Sequence, residues 1–581
     1  MTILNNSSAT NKKWILTQND SSLVAKATQI YSINSQIAKV LLNRQLSLSD
    51  IASFIDPKLK FLMPNPFSLF NMDKACELII KAINKKEHIV LFSDYDVDGI
   101  TSNTLLYKYL KSLNANISTY IPNRFTEGYG LSMQSLPNIL KLKPHLVILL
   151  DNGSSSHNEI KILQEQGIDV VIVDHHALDT NPPKASAILN PKHINDTSNQ
   201  SQLCTVGIVF LLLVALNQTL KADNNLLQYL DLVALGTVAD MVPLVGLNRA
   251  YVMQGLKLLK KTNNIGLQAL IEQLNLKQAI DYETIGFGIA PVINAASRLK
   301  TGQLAFDLLN TDNQTIANTL ANELIGLNKE RQKQEDATIN SAMEQIKNSD
   351  AHKNALIFAG HSSWQQGTVG IIAGRIKEIY NKPSCIYYID EINKIATASG
   401  RSVDGLDLGE IILGAKARNL ITKGGGHSQA VGFSFSLDKL EELANFLNKE
   451  ITKKSSNYNS ISTLFIDDII PINNINIYFA QSLVNIAPFG INFPEPLFLL
   501  NNVKLSSVMQ IGEHKNHISA MLSDGFSFNI KSICFKALPG VLGEKLLSAN
   551  NLFINAVVSV KINFYNGREY TNLVIKDIAF A

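Results

Sequence analysis

The sequence predicts an α/β protein in which a parallel-sheet domain is joined by a long helix to a smaller α/β domain, followed by a C-terminal all-β barrel. Three apolar segments, HIVLFSD, HLVILLD and DVVIVDHH, alternate with helical patterns, which is typical of parallel βαβ units. A proline-free stretch from Leu304 to Lys347 can form a long helix. After residue 463, short segments such as FSFNIKSICF alternate apolar and polar residues, as barrel strands do.

These patterns divide the chain into six parts. They are a polar and then helical extension (1–45), the parallel-sheet domain (46–305), the connecting helix (306–350), the smaller α/β domain (351–452), a polar linker (453–463) and the barrel (464–581). A chain of 581 residues has room for about three to four domains.

The composition narrows the function classes. A hydrophobic content of 46% and a net charge of +3 describe an ordinary globular protein without a strongly basic surface. The chain has four cysteines that lie far apart in sequence: Cys76, Cys204, Cys385 and Cys534. Neither a zinc knuckle nor a disulfide framework is therefore expected, and the sequence predicts a location in the reducing cytoplasm. The apolar run from Val206 is far shorter than the roughly 20 residues of a membrane span, so it predicts a buried helix and no membrane association.

The stretch FSDYDVDG places Asp94, Asp96 and Asp98 at the end of an apolar run. Residues 94–99 fit the first six positions of a calcium-binding EF-hand loop. The twelfth position of such a loop would be Leu105, which has no ligand atom. The preceding residues are typical of a buried strand rather than a helix. The sequence therefore predicts a strand, an acidic turn and then a helix.

Each of the three apolar segments ends in side chains that can bind a metal. The first ends at Asp94, Asp96 and Asp98, the second at Asp151, and the third at Asp174, His175 and His176. Because the carboxyl ends of parallel strands lie at one edge of the sheet, these side chains should meet there. A lone aspartate at such a position can simply cap the next helix, and a surface acidic cluster beside a histidine pair is the alternative for the whole set.

The donor types favour particular ions. Carboxylates with imidazole and no thiolate suit Mn²⁺ or Mg²⁺, and also Fe or Zn. The carboxylates exceed what one ion needs, and two ions about 3.5–4 Å apart are a known device of phosphoryl chemistry. His175 and His176 are adjacent, so one is expected to bind metal while the other contacts phosphate or transfers a proton. Asp240 follows an apolar helix and is either a further ligand or a buried ion-pair partner.

Several motifs resemble a known family. DYDVDG, LLDNGSS, VDHH and GTVADMVPL resemble the four motifs of the DHH phosphoesterase superfamily, and GGGHSQAVGFS resembles its associated DHHA1 domain. YIPNRFTEGYGL, INAASRL, WQQGTVGIIAGRI, ASGRSVDGLDL and APFGINFPEPLF are similar to the branch formed by bacterial single-strand-specific 5′-to-3′ DNA exonucleases. The resemblance runs from about residue 45 to the C-terminus. It departs from the branch pattern at GINFPEPLF, where Phe493 stands between Asn492 and Pro494.

The resemblance implies a two-ion metal centre that uses Mn²⁺ or Mg²⁺. Its implied ligands are Asp94, Asp96, Asp98, Asp151, His175 and Asp240, with Asp151 as the bridge. His176 would contact the scissile phosphate and assist proton transfer, and Asp174 would orient the histidines.

The resemblance also implies substrate-binding residues. They are Arg124, Tyr129, Arg298, Arg375, Ser399, Arg401, Gly425, Gly426 and His427. The glycines would let backbone N–H groups approach a phosphate, although a glycine run is also typical of a flexible turn. Arg375 could equally form a structural salt bridge, and Tyr129 could stack on a base or simply pack.

Three functions fit these observations. The first is a DNA repair and recombination exonuclease that digests single-stranded DNA from 5′ to 3′ to mononucleotides, in a cleft too narrow for a duplex. The second is a hydrolase of short oligonucleotides, which would not need the barrel. The third is a non-catalytic DNA-binding subunit, which would have lost metal ligands. The first implies single-stranded DNA as substrate, and a single-strand-binding protein and a repair helicase as partners.

Overall fold

Within the described residues the strands are listed here in chain order. They are β1 (Thr2–Leu4), β2 (Lys13–Leu16), β3 (Ile89–Ser93), β4 (Ile117–Tyr120), β5 (Leu146–Leu150), β6 (Asp169–Val173), β7 (Ala187–Leu189), β8 (Ile357–His361), β9 (Ser384–Asp390), β10 (Ile395–Arg401), β11 (Lys423–His427), β12 (Ala430–Ser436), β13 (Thr463–Ile466), β14 (Asp468–Ile469), β15 (Phe498–Ile511), β16 (His517–Ser523), β17 (Asn529–Cys534), β18 (Phe553–Tyr565) and β19 (Arg568–Phe580).

The α-helices of the same residues follow in the same order. They are α1 (Ser21–Tyr31), α2 (Ser35–Asn43), α3 (Ile51–Ile55), α4 (Leu59–Leu62), α5 (Met72–Asn84), α6 (Val97–Ser112), α7 (Leu136–Lys141), α8 (His157–Glu165), α9 (Thr205–Leu220), α10 (Leu230–Ala239), α11 (Gly246–Leu259), α12 (Ile265–Gln273), α13 (Ala290–Leu299), α14 (Gln303–Asn310), α15 (Gln314–Asn348), α16 (Val369–Tyr380), α17 (Leu408–Ala417), α18 (Leu440–Ser455), α19 (Ile477–Asn485) and α20 (Val541–Ser548).

The computed structural model describes residues 2–4, 8–276, 280–455, 463–565 and 567–580. Most of the predicted linker, 456–462, lies outside these residues. The chain divides into two units, and the division falls within α15. The barrel unit comprises 1–43, 330–483 and 496–581, and the parallel-sheet unit comprises 44–329 with 484–495. None of the described helices is both long and apolar enough to span a membrane.

The parallel-sheet unit contains five parallel strands in the order β4-β3-β5-β6-β7. The central strands β3 and β5 are buried along their whole length, which explains why they read as unbroken apolar runs. The predicted buried helix is α9, and it packs with α5, α6 and the sheet in one apolar core. The predicted parallel α/β architecture is therefore confirmed.

The described residues of the barrel unit form three sheets. The strands of the smaller α/β domain run in the order β11-β12-β10-β9-β8, and β15, β16, β17, β19 and β18 close into the predicted barrel. The third sheet was not expected: β1 and β2 pair with β13, so the N-terminal segment contains strands as well as helices. Trp14 of β2 is buried and donates a hydrogen bond from Nε1 to Asp577 Oδ2 at 2.9 Å.

The long helix α15 has 35 residues, but it begins later than the sequence pattern indicated. A break at 311–313 separates it from α14. The side chain of Asn313 accepts hydrogen bonds from the backbone N–H groups of Thr315 (2.9 Å) and Ile316 (3.1 Å). Asparagine is a strong N-terminal cap, so it starts a new helix here without any proline.

A buried arginine holds residues 484–495 against the rest of the parallel-sheet unit. The Arg249 side chain is 0% exposed and donates hydrogen bonds of 2.7–3.0 Å to the carbonyls of Phe54, Ile486, Ala487 and Pro488. Its guanidinium carbon lies 3.8 Å from the Phe54 ring centroid. The ring of Phe493, which departs from the family pattern, is buried 4.4 Å from that of Phe54. The extra residue is thus an apolar anchor of this segment.

Replacing Arg249 with Met should lower the free energy of unfolding by about 3 kcal/mol, because four buried carbonyls lose their donors. Urea unfolding followed by circular dichroism measures the change. Lys257→Met, on the exposed side of the same helix α11, is the matched control and should have little effect. Equal unfolding free energies for both variants would contradict a stabilising role of the Arg249 hydrogen bonds.

Candidate metal centre

The carboxyl ends of three neighbouring strands form the floor of the site. Asp94, Asp151 and Asp174 each follow the last residue of β3, β5 or β6. Their backbone N–H groups donate to the carbonyls of Leu150 (3.1 Å), Val173 (2.9 Å) and Leu189 (3.1 Å), respectively, on the adjacent strand. The sheet therefore places three aspartates side by side, and all three are buried.

The acidic turn after β3 is tight. Asp96 is the N-cap of α6, and its Oδ1 accepts a hydrogen bond from Gly99 N at 3.0 Å. A Cβ atom on Gly99 would lie 2.5 Å from the carbonyl oxygen of Asp94, so only glycine allows this approach. The alternative of an EF-hand is excluded, because a strand precedes the turn and Leu105 is buried within α6.

Asp98 lies in the first turn of α6 and faces the start of another helix. Its two carboxylate oxygens accept hydrogen bonds from the backbone N–H groups of Thr205 (2.7 Å) and Val206 (2.9 Å) of α9. The Thr205 hydroxyl donates to Asp151 Oδ1 at 2.9 Å. Free N–H groups and the helix dipole both favour a carboxylate at this position.

Helix α10 brings Asp240 to the same place. Gly236 of this helix lies so close to α6 and α9 that a Cβ atom would be 2.5 Å from Thr101 Oγ1 and 2.7 Å from Val206 Cγ1. This close packing carries Asp240, which directly follows α10, to His175. Asp240 Oδ2 lies 3.4 Å from His175 Nε2, which is also 3.5 Å from Asp151 Oδ1.

The ligand atoms form three groups, each with all atoms within 4.8 Å of one another. They are Asp94, Asp96 and Asp151; Asp98, His175 and Asp240; and Asp151, His175 and His176. Asp151 and His175 each belong to two of these groups, so the groups form one continuous cluster. The structure thus brings together all six side chains that the family resemblance implies as ligands.

Three buried atoms of this cluster have no hydrogen-bond partner among the described residues. They are Asp94 Oδ1, His175 Nε2 and Asp240 Oδ2. Buried polar atoms are normally paired, so three unpaired atoms in one cluster call for an explanation. All of them can donate an electron pair to a cation, and the donors are carboxylate oxygen and imidazole nitrogen. The residues therefore fit hard divalent cations such as Mn²⁺ or Mg²⁺.

The electrostatics of the cluster point the same way. Burial, reinforced by neighbouring carboxylates, raises the pKa of Asp94 and Asp151 well above the usual value. The same two causes raise the pKa of Asp98 to about 7 and that of Asp240 to about 9. Burial lowers the pKa of His175 to about 4, so its imidazole is neutral and can act as a ligand. Without a counter-charge, these carboxylates cannot all ionise together.

His176 has a different environment. Its Nδ1 lies 2.7 Å from Asp174 Oδ1, which also accepts from the backbone N–H groups of both histidines. Burial acts to lower the pKa of His176, but the hydrogen bond and charge of Asp174 outweigh it and raise that pKa. Burial alone would raise the pKa of Asp174. The hydrogen bond and charge of His176 outweigh burial, so the pKa of Asp174 is lowered. Asp174 therefore favours the protonated form of His176, and His176 favours the ionised form of Asp174.

Tyr129 contacts the His176 ring and the backbone of Asp151. Its hydroxyl donates to the Asp151 carbonyl at 3.1 Å and lies 3.3 Å from His176 Nε2. Asp151 has a left-handed backbone with φ of 63°, which is uncommon for a residue other than glycine. Tyr129 thus holds the main chain of this strained residue, and Thr205 holds its side chain.

Two arginines border the acidic cluster. Arg124 lies with its guanidinium carbon 5.3 Å from the ring centroid of Tyr95, between Asp94 and Asp96 in the chain. Burial raises the pKa of Tyr95 to about 12, while the charges of Arg124 and Arg298 act against that rise. Both predicted phosphate-binding arginines of this unit therefore lie near the first acidic turn.

The barrel unit contains a second group of predicted site residues. Across β10, β12 and β11, Ser399 is in register with Gly432 and Gly425, and Arg401 with Ala430 and His427. Residues in register point to the same face of a sheet. Cβ positions at Gly425 and Gly432 meet only open space. Ser399, Arg401 and His427 therefore border an open floor of two glycines.

The N-terminus of α16 lies over this face. A Cβ atom on Gly370 would be 3.1 Å from Ser399 Oγ and 3.3 Å from Arg401 Nη2. Gly426 cannot be replaced without strain, because its φ is +143° and a Cβ atom would lie 2.3 Å from the Ala430 carbonyl oxygen. The glycine run is thus an ordered edge strand rather than a flexible turn.

Arg375 of α16 is held differently. Its guanidinium donates to Glu378 Oε2 and to the carbonyl of Lys536, both at 3.1 Å. These contacts join α16 to the loop after β17. The ion pair with Glu378 is the structural salt bridge that the sequence analysis gave as the alternative role of Arg375.

Three family models match the chain. They are the DHH family N-terminal domain over residues 88–237, the DHHA1 domain over 352–453 and the RecJ OB domain over 466–577. The single-stranded-DNA-specific exonuclease RecJ of Bacillus subtilis is 31% identical over 573 residues, which cover 98% of this chain and 71% of the relative. The protein of the same name from Salmonella typhimurium is 32% identical over 536 residues, with 88% and 90% covered.

The chain belongs to the RecJ family. The crystal structure of Thermus thermophilus RecJ in complex with Mn²⁺ matches with a TM-score of 0.81 at 25% identity, covering 98% of this chain and 79% of the other. The resemblance to the DHH superfamily and its exonuclease branch is thereby confirmed.

For this RecJ family member, sequence reasoning missed two contributors. The first is Thr205, whose hydroxyl and N–H group hold two aspartates at once. Thr205 is the first residue of an apolar helix, directly after Cys204. That position at a helix start was the only sequence signal of its role. The second is Gly432, whose role depends on cross-strand register and has no local sequence signal.

With a chelator present, the free energy of unfolding should fall as pH rises from about 4 to about 9. The folded-state pKa values of Asp98 (about 7) and Asp240 (about 9) exceed the unfolded value of 3.8, so the folded state binds more protons and loses stability as they leave. Asp240→Asn should raise the free energy of unfolding by about 1–3 kcal/mol near the upper end of this range, with no gain at the lower end. Chemical unfolding at several pH values measures both effects.

The exposed Asp223→Asn is the matched control and should follow the wild-type profile. An Asp240→Asn profile parallel to that of the wild type would contradict a repulsive carboxylate cluster.

Proposed function

We propose that this RecJ family member is an exonuclease specific for single-stranded DNA that digests from 5′ to 3′ and releases mononucleotides in DNA repair and recombination. The observation that carries the proposal is the cluster of carboxylates and imidazoles around Asp151, in a chain whose relatives are named single-stranded-DNA-specific exonucleases. The 5′-to-3′ direction follows the resemblance of the motifs.

The proposed cofactors are two Mn²⁺ or Mg²⁺ ions. Their ligands would be Asp94, Asp96, Asp98, Asp151, His175 and Asp240. The unpaired buried atoms and the shared position of Asp151 support this assignment. Two such ions, when bound, lower the pKa of a water and neutralise charge on the phosphate.

The protein's own residues would perform the remaining steps. His176 is held through Nδ1 by Asp174, so Nε2 is the nitrogen that can protonate the leaving oxygen. Tyr129 lies within 3.3 Å of that nitrogen and would fix the ring rather than stack on a base. Arg124 and Arg298 carry charges that suit a phosphate beside the acidic turn.

The glycine-floored face of the barrel unit is proposed to hold a backbone phosphate. Ser399, Arg401 and His427 would donate hydrogen bonds, and the start of α16 adds its helix dipole. Gly425 and Gly432 leave the space that the phosphate needs, and Gly426 shapes the strand that carries His427.

We also propose protein partners and a cellular location for this chain. A single-strand-binding protein and a repair helicase would supply the unpaired strand that the enzyme digests. A DNA substrate of this kind is consistent with a cytoplasmic location. Arg375 would act indirectly, by holding α16 to the barrel.

Asp151→Asn should abolish Mn²⁺-dependent digestion of single-stranded DNA, because it removes one charge from the proposed bridge. The assay uses single strands labelled at the 5′ or the 3′ end, and duplex for comparison. Wild-type protein should release the 5′ label first and spare the duplex. Asp73→Asn, an exposed change on α5, should digest normally. Full activity of Asp151→Asn, or earlier release of the 3′ label, would contradict the site or the direction.

Thr205 is proposed to position the metal ligands. Its hydroxyl proton occupies one lone pair of Asp151 Oδ1, and its N–H group occupies one of Asp98 Oδ2. The remaining lone pairs are then directed away from α9 and into the ligand cluster. Groups that orient metal ligands in this way typically change metal affinity 10- to 100-fold when mutated, on the order of 1–3 kcal/mol.

Thr205→Val should raise the Mn²⁺ dissociation constant at least about tenfold, because it keeps the side-chain shape and loses only the hydroxyl. Thr205→Ser should restore tight binding. Calorimetric titration of the metal-free protein with Mn²⁺ measures the affinity directly, and the melting temperature without metal reports any loss of fold. Equal Mn²⁺ affinity of the Val and Ser variants would refute the positioning role.

A further inference from the structure

A pocket of about 370 Å³ opens on the parallel-sheet unit, away from the metal centre. Its walls come from the second half of α6, the start of α10, the loop between α11 and α12, and the residues between α14 and α15. Helix α6 carries Asp98 in its first turn, and Lys108 of the pocket lies ten residues further on, a rise of about 15 Å. Helix α10 begins at the pocket and ends before Asp240. The pocket is therefore a separate site at the far ends of two helices that lead to metal ligands.

Lys108 is a partly buried cation of this pocket without a partner. Its ammonium forms neither a hydrogen bond nor an ion pair with any described residue. Burial lowers the pKa of Lys108, and although the charges of Asp312 and Asp231 act against that shift, they do not cancel it. A charge removed from water is normally paired, so an anionic ligand would supply the partner that the fold does not.

The neighbouring groups leave this positive charge available. Asp231 is buried, and its carboxylate accepts hydrogen bonds from the Thr262 hydroxyl and from the backbone N–H group of Leu232. Burial also raises the pKa of Asp231, which favours its neutral form. Lys111 is exposed at the rim and has no ion pair with any residue that the structure describes. Two ammonium groups one helical turn apart thus face an anion together.

The same pocket offers flat rings and free amides. Tyr107 and Tyr229 both line it, and the ring of Tyr107 is held edge-on against Phe306 with centroids 5.5 Å apart. The side chains of Gln228 and Asn263 are exposed and form no hydrogen bond with the described part of the chain. Aromatic faces stack on nucleobases, and amide side chains pair with the polar edges of bases.

We propose that this pocket binds one nucleoside monophosphate, with its phosphate between Lys108 and Lys111 and its base beside Tyr107. The reaction proposed above releases this class of molecule, so the source of the ligand rests on the proposed function. The pocket volume is at the lower end of the range for ligand sites, which suits a single nucleotide and not a strand. Free phosphate would leave the rings and amides unused, and an acidic peptide offers no base edge to the amides.

A bound nucleotide would have a structural effect on the metal centre. It would contact α6 and α10 at once, and these helices pack so closely that a Cβ atom on Gly236 would lie 2.5 Å from Thr101 Oγ1. A ligand that binds only the folded arrangement stabilises it. The product would therefore stabilise the two helices that lead to Asp98 and Asp240.

Calorimetric titration of the full chain with dAMP, and separately with dTMP, tests the proposal. The protein carries Asp151→Asn and Arg401→Gln and is kept with a chelator, so that neither site of the proposed reaction competes for the nucleotide. Both nucleotides should bind and raise the melting temperature. Lys108→Gln combined with Lys111→Gln should weaken binding at least about tenfold, because the phosphate loses both cations. Gln228→Ala combined with Asn263→Ala, two exposed changes that spare the fold, should weaken it about tenfold.

Matched controls separate the pocket from general charge effects. Lys60→Gln combined with Lys85→Gln removes two exposed lysines of the same unit and should leave the dAMP affinity unchanged. Inorganic phosphate and deoxyadenosine, each titrated alone, should bind more weakly than dAMP. Parent-like dAMP affinity in both pocket variants would overturn the proposal. So would inorganic phosphate or an acidic peptide that binds as tightly as dAMP and loses affinity in the lysine variant.

Digestion of single strands by the wild-type protein tests the proposed function separately. If digestion fails while dAMP binds the pocket, the proposed function falls and the pocket keeps its ligand class. If digestion succeeds while both pocket variants bind dAMP as the parent does, only the pocket assignment falls.

Discussion

The constraint on which the structure depends is the burial of several carboxylates at one edge of a parallel sheet. Each of them costs free energy in the absence of a counter-charge, and together they repel. The fold offsets part of this cost with neutral donors. Backbone N–H groups at the start of α9 donate to Asp98, the Thr205 hydroxyl donates to Asp151, and the Gly99 N–H group donates to Asp96. Protonation offsets the rest when no cation is bound, and bound cations would offset it with the carboxylates ionised, so the stability of this edge of the sheet is coupled to its cofactors.

Two neighbouring histidines show how the same fold produces opposite chemical behaviour. Burial among the ligand atoms lowers the pKa of His175, whereas the hydrogen bond and charge of Asp174 raise the pKa of His176. Asp174 also accepts hydrogen bonds from the backbone of both, so a single carboxylate holds the main chain of the two histidines and the ring of His176. The difference lies in the partners that the strand end provides and not in the residue type.

The strand ends and their acidic side chains could be predicted from sequence, because parallel strands that end at a common edge leave little freedom in where Asp94, Asp151 and His175 go. The start of α15 at Gln314 could not be predicted from sequence. The polar residues around Asn313 could equally form an exposed helical turn, so the sequence does not reveal that Asn313 caps a new helix. The pairing of β2 with β13 joins residues about 450 positions apart and has no local signal. The roles of Thr205 and Gly432 likewise depend on tertiary contacts. Family resemblance supplied the ligand set, while the structure supplied the atoms that hold it.

The left-handed backbone of Asp151 limits which residues evolution can place there. Asparagine and aspartate tolerate this conformation, glycine adopts it freely, and branched residues do not. A descendant of this enzyme that gave up catalysis would therefore tend to keep one of these three at the position, with the surrounding architecture intact. An asparagine or glycine at the corresponding strand end would then mark a pseudoenzyme whose fold still records its catalytic ancestry.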